Sequence, residues 1–233
     1  DLAYRISAHE YRGKRSLQME WIDARPAAAS TIISGSEEKP VVIDHRADSD
    51  KNFSIDNLVE EITRPLVIWG ENCAEDNFRG RDRISTTETL VVWTAPPGRD
   101  ELQQVLSRAQ PRTLYLFAIE PATTTTDRFL LFLEDLCKHA LGHHDGRVMI
   151  TELAAASAHR ETTVRAGLEW LATRGEVNIT YESLDAVILS EGGDADPVAE
   201  ARWEESVRDI VDETAAYRRF YTMASVDELL RTL

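Results

Sequence analysis

Leu90-Val-Val-Trp-Thr94, the helical stretch from Asp100 to Ala109, and Leu114-Tyr-Leu-Phe-Ala-Ile119 decide the fold. The two short runs are apolar at nearly every position, which marks strands buried on both faces, and the stretch between them is long enough for a crossover helix. Parallel neighbours need such a crossover, so the segment reads as strand, helix, strand of one sheet. Upstream the pattern repeats with Val41-Val-Ile-Asp44, a helical stretch from Ile55 to Ile62, and Leu66-Val-Ile-Trp-Gly70. The expected fold class is therefore α/β, a mostly parallel sheet covered by helices, with this part occupying residues 40–125.

Downstream the pattern changes. Thr126 or Asp127 can cap a helix that places Phe129, Phe132, Leu133, Leu136 and Ala140 on one face, ended by Gly142-His-His-Asp-Gly146. A strand Val148-Met-Ile150 follows, then a helix opened by Thr151, a break at Ser157-Ala-His159, and a helix from Glu161 to Arg174 closed by Gly175. Val177-Asn-Ile-Thr-Tyr181 and Ala186-Val-Ile-Leu189 complete a two-stranded wing. This order predicts a winged-helix-like unit over residues 126–190. Residues 191–233 form an acidic helical tail, with Trp203, Val207, Ile210, Val211, Thr214 and Tyr217 on one face and a last short helix from Ser225 to Leu233. That apolar face is expected to dock on the body.

At the other end, Tyr4 and Ile6 alternate with Ala3 and Arg5, and Leu17, Met19 and Trp21 alternate with Gln18 and Glu20. Two period-2 strands flanking a polar turn, His9 to Arg15, centred on Gly13 predict a β-hairpin over residues 1–26. A lone two-stranded hairpin is marginal in water, so these strands are expected to be the remnant of a larger sheet. Residues 27–39 are small and polar without a period and read as a linker.

The chain has 233 residues, 42% hydrophobic and 29% charged, enough for one or two domains. No apolar run approaches the roughly 18 residues that a membrane helix needs, no signal peptide is evident, and Cys73 and Cys137 lie far apart. A reduced, cytoplasmic protein without a membrane partner is expected. The net charge of −15 excludes a general nucleic-acid coat, because phosphate binding rests on Lys and Arg. Any DNA contact must be local, and the hairpin is the candidate: Arg5, Tyr11, Arg12, Lys14 and Arg15 combine basic groups with an aromatic ring. Single-strand binders use that combination to hold phosphates and stack bases.

Other candidates carry less. Asp44, Glu71, Asn72 and Thr94 fall at strand ends, where open α/β sheets place ligands, yet no glycine-rich phosphate loop follows any strand. Asp44 and Arg46 read as a local ion pair or turn contact. His139 and His143 are four apart, but Gly142 interrupts the helix, so with His144 they read as a loop tip rather than a metal site. The helix from Glu161 carries Arg160, Thr162, Arg165 and Arg174 together with Glu161 and Glu169, a mixed face that suits a packing scaffold better than a DNA reader.

Ala3-Tyr4-Arg5, Tyr11-Arg12-Gly13, Leu17-Gln18 and Asp23 together resemble the end of the OB-fold of the bacterial RecJ family, single-strand-specific DNA exonucleases of the DHH phosphoesterases, and the downstream segments are similar to the variable C-terminal domain of many members. The resemblance implies that residues 1–26 are the last strand pair of an OB-fold. It implies a C-terminal, non-catalytic part of a 5′–3′ exonuclease of recombination and repair, whose Mn or Mg ions sit in a core upstream of Asp1. Asp44-His45-Arg46 and His143-His144-Asp145 do not match the family's metal-binding motifs, so no catalytic, cofactor or metal residue carries over and this chain is expected to be inactive. The implied role is accessory, in single-stranded-DNA binding or recruitment of a partner such as single-stranded-DNA-binding protein. Two other readings stay open: a winged-helix transcription regulator with an α/β sensor domain, and a small-molecule enzyme with its ligand beside Asp44 and Glu71.

Overall fold

The computed structural model describes residues 2–11, 14–24, 40–47, 55, 59–60, 62, 65–73, 77–143 and 145–231. The chain divides into two units, Asp1–Glu38 and Lys39–Leu233.

The first unit is an antiparallel pair, β1 (Leu2–Tyr11) and β2 (Lys14–Ala24). Its ladder runs further than the expected polar turn allows, through His9↔Ser16, Glu10↔Arg15 and Tyr11↔Lys14. Directly opposed Glu10 and Arg15 carry opposite charges, which favours pairing at that register. Arg12, Gly13 and the linker 27–39 lie outside the described residues. The register steps from Ala3↔Asp23 to Tyr4↔Trp21, leaving Ile22 as the extra residue of a bulge.

The second unit contains a five-stranded sheet of β3 (Val41–Asp44), β4 (Leu66–Trp69), β5 (Phe78–Arg79), β6 (Thr89–Thr94) and β7 (Thr113–Ile119), in the order β3-β7-β6-β4-β5. Every pairing in it is parallel. The four expected strands are present, and β5, two residues long, is an addition. Helix α1 (Arg99–Ala109) carries the chain from β6 to β7 and buries Leu102, Val105 and Ala109 against Leu90, Val92, Leu114 and Leu116 on one face of the sheet. Val91, Ile68 and Phe117 point the other way and meet Ile55, Val59 and Ile62. Alternate residues of each central strand thus go to opposite cores, which is why these runs are apolar throughout.

The rest of the unit comprises α2 (Thr126–His143), β8 (Arg147–Met149), α3 (Ile150–Ser157), α4 (Glu161–Thr173), β9 (Val177–Tyr181) and β10 (Ala186–Glu191), with β8-β10-β9 forming an antiparallel sheet. Ile150, expected to end the strand, instead opens α3. Its N–H donates to the Asp185 carbonyl (2.8 Å), and the Asp185 carboxylate accepts from the Thr151 N–H (2.9 Å) and hydroxyl (3.0 Å). A residue distant in sequence therefore caps this helix, satisfying amides that would otherwise lack partners. Phe129, Leu133, Cys137, Val164, Leu168, Leu171, Val187 and Leu189 share one buried core.

Helix α5 (Pro197–Met223) follows, with the Asp196 carboxylate accepting from the Val198 and Ala199 amides at 3.1 and 3.0 Å and proline in the first turn. At 27 residues it is about 40 Å long, enough to serve both cores: Val207 and Val211 enter the one built on α2 and α4, and Tyr221 enters the one against the large sheet. Helix α6 (Val226–Arg231) adds Leu229 to the sheet core. The segments 40–125, 126–190 and 191–233 accordingly belong to one compact unit. Among the described residues no helix is long and apolar enough to cross a membrane.

Candidate functional site

The carboxyl edge of the parallel sheet gathers most of the buried polar groups. Glu71, just beyond β4, is buried, and its Oε1 accepts from Trp69 Nε1 (2.9 Å), the Arg81 amide (3.1 Å) and Arg81 Nε (2.8 Å), while Oε2 takes Arg81 Nη2. Burial opposes the charge on Arg81, but the Glu71 carboxylate, with Glu101 and Glu161 adding to it, holds the guanidinium above its ordinary pKa. Arg81 also reaches the His159 carbonyl at 3.0 Å. Both oxygens of this strand-end carboxylate are thus committed to donors within the chain.

Around it the other expected strand-end residues are also engaged. The Thr94 hydroxyl accepts from the Glu71 amide at 3.0 Å, and the Cys73 thiol donates to the Glu71 carbonyl at 3.3 Å. Asn72 adopts a left-handed backbone (φ 55°); its side chain accepts from the Ala122 amide (2.9 Å) and donates to the Ala156 carbonyl (3.3 Å). Asparagine tolerates that conformation better than most residues. A cleft of about 580 Å³ opens here, lined in part by Asn72, Cys73, Asp82, Arg83 and Glu152.

Asp44 and Arg46 form the ion pair that their spacing predicts. Arg46 Nε and Nη2 donate to the two carboxylate oxygens at 2.8 Å each, and the fork pulls the Asp44 pKa below its ordinary value. Arg46 also donates to the carbonyls of Tyr221 and, at 2.9 Å, Ala224. It therefore caps the end of α5, a cation at a helix C-terminus.

Helix α4 offers no open basic face. Arg160 donates to the Ile210 carbonyl (3.3 Å) and Glu213 (2.8 Å), both on α5, which packs along α4. Arg165 donates to the Leu184 carbonyl and lies 6.0 Å from the Tyr181 ring, whose hydroxyl donates to Glu169. Arg174 pairs with Glu176 (2.7 Å), approaches Glu200 (4.0 Å) and covers Trp170. The acidic helix thus supplies partners to Arg160 and Arg174, and the wing supplies those of Arg165. The His139 and His143 rings stack at 4.3 Å, and His143 Nδ1 contacts the His139 carbonyl; His144 lies outside the described residues. Among the described residues no group of three or more His, Cys, Asp or Glu side chains is placed to hold a metal ion.

Of the hairpin candidates, Arg5 stands opposite Glu20, Tyr11 opposite Lys14, and Arg15 opposite Glu10. The period-2 rule puts Arg5, Tyr11 and Lys14 on one face of the ladder and Arg15 on the other. Arg12 lies outside the described residues.

Arg81, His159 and Arg218 are polar residues of the interior that the sequence did not single out. Arg81 sits in a charged run, Arg79-Gly-Arg-Asp-Arg83, that reads as solvent-facing, and nothing local marks which arginine turns inward. No family model, curated protein or solved structure matches this chain.

Proposed function

We propose that this chain is the C-terminal, non-catalytic part of a RecJ-like 5′–3′ single-stranded-DNA exonuclease, with β1 and β2 as the closing strands of an OB-fold and residues 126–190 as a winged-helix-like scaffold. The observation that carries the reading is the hairpin ladder, which sets Tyr11 opposite Lys14 and puts Arg5 on the same face. OB-folds hold a single strand by combining aromatic and basic residues on one strand face, each stacked base being worth about 1–3 kcal/mol.

The winged-helix reading rests on the order helix, strand, helix, helix, hairpin, with β8 pairing β10. Its second helix of the pair, α4, has its arginines engaged within the chain, and that favours a scaffold over a sequence reader. The same occupancy counts against a transcription regulator, which needs an open basic recognition face.

Fluorescence anisotropy with a labelled oligothymidylate and a duplex of equal length tests the proposal. The 233-residue chain should bind the single strand in preference and leave it uncut in Mn²⁺ or Mg²⁺. Absent or duplex-preferring binding at low salt, or shortening of the strand, overturns it.

A further inference from the structure

Three buried arginines occur among the described residues of the α/β unit, and they are treated differently. Arg46 forks onto Asp44 and Arg81 onto Glu71. Arg218, on α5 and only 6% exposed, has no such carboxylate. Its Nε donates to the Ala95 carbonyl at 3.3 Å and its Nη2 to the Ala158 carbonyl. Nη1 makes no hydrogen bond or ion pair among the described residues, nor is it among the unpaired atoms sealed from solvent. Burial pushes Arg218 down to about 10, Glu71 and Glu120 pulling it up from a distance and Arg81 pushing it lower. It stays charged near neutral pH, and a buried cation with no carboxylate bonded to it is costly to a fold.

The open nitrogen belongs to a residue that lines a second cleft, of about 430 Å³. Ala95 and Glu120, which immediately follow β6 and β7, form one side, so the cleft sits at the carboxyl ends of adjacent parallel strands, where open α/β sheets bind ligands. Thr124 and Arg219 add polar groups, and Ala118, Ala215 and Met223 supply apolar wall. The volume is that of a small-molecule site. Glu120 sets one negative charge in this lining against the two arginines, Arg218 and Arg219.

We propose that this cleft binds a small organic oxyanion, a carboxylate or phosphate group on a short apolar body, with Arg218 Nη1 as the buried donor and Arg219 as the outer cation. The proposal is independent of the hairpin and of the DNA-binding reading.

The test follows the Arg218 Nε–H signal by NMR while the chain is titrated with butyrate or with inorganic phosphate, each against chloride at matched ionic strength. A saturable shift from either anion beyond that of chloride is expected, and which one saturates identifies the group. Because Arg218→Met removes a buried anchor and can unfold the chain, Arg219→Gln is the second variant: it is exposed, and its loss should weaken binding about 2- to 5-fold with an unchanged melting temperature. Shifts no larger than those of chloride, or equal affinity in Arg219→Gln, overturn the proposal.

Discussion

Arg81 grips the Glu71 carboxylate by two nitrogens and continues to the carbonyl of His159 at 3.0 Å. One guanidinium therefore ties the carboxyl edge of the large sheet to the turn between α3 and α4. The pair is buried on both sides, so each partner's desolvation is offset mainly by the other, with Trp69 Nε1 adding a donor to Glu71 and Glu101, 3.9 Å away, a second negative charge beside Arg81.

Removing one partner leaves the other buried without its main counter-charge. Glu71→Gln should cost about 3–5 kcal/mol, read as a lower urea midpoint with unchanged slope. Glu71→Leu combined with Arg81→Met should recover much of that loss. A single-variant cost below about 1 kcal/mol would contradict the assignment.

Arg46 joins the end of β3 to the last carbonyls of α5. In Arg46→Met, amide exchange should accelerate around Tyr221 to Ala224 and in α6 but not in α2, with a stability loss of about 1–3 kcal/mol. Uniform acceleration across the chain would show that the contact is not local.

His159 is fully buried, and its Nε2 sits 2.7 Å from the Thr123 carbonyl, so Nε2 bears the proton and Nδ1 is unpaired. Burial drives its pKa from 6.5 to about 3, with Arg218, Arg81 and Arg160 adding repulsion against the help of Thr123. Between those values the unfolded chain takes up a proton that the folded chain refuses. Stability is therefore undiminished above 6.5 and falls on acidification, by up to about 1.4 kcal/mol per pH unit. His159→Gln should flatten the profile of unfolding free energy over that range; parallel profiles would refute the assignment.

Much of this architecture was legible in the chain, and the reasons differ by element. Leu90 to Thr94 and Leu114 to Ile119 are apolar on both faces because each feeds two cores, and that double burial is written in the residues themselves. Phe78–Arg79 was not legible, since two residues carry no period. Asp44 and Arg46 are neighbours and declared their pairing, whereas Arg81 and Arg218 find partners through tertiary contacts that no local pattern encodes. The acidic tail's apolar stripe foretold docking, but not that the same helix would place Glu213 against Arg160. The hairpin's alternation predicted its strands, and only the register separates Arg15 from Arg5, Tyr11 and Lys14.

Helix α4 crosses α2 where Gly167 faces Leu133 and Phe129. A Cβ there would lie 2.5 Å from Leu133 Cδ2 and 3.1 Å from Phe129 Cε1. Gly167→Ala should destabilise the chain by about 1–3 kcal/mol, despite alanine's helix propensity, and Leu133→Val in the same chain should relieve part of the cost. Thermal melts of the two variants decide this; an alanine variant more stable than the parent would show that the helices can move apart freely.

The salt dependence of single-strand binding distinguishes a nucleic-acid contact through the hairpin from one through α4. Anisotropy titrations over a range of salt should give a log–log slope that flattens by about 2 when Arg5, Arg12 and Lys14 are all replaced by Glu, while Arg165→Glu leaves it unchanged. An unaltered slope in the triple variant, or a flattened one in Arg165→Glu, would contradict the account.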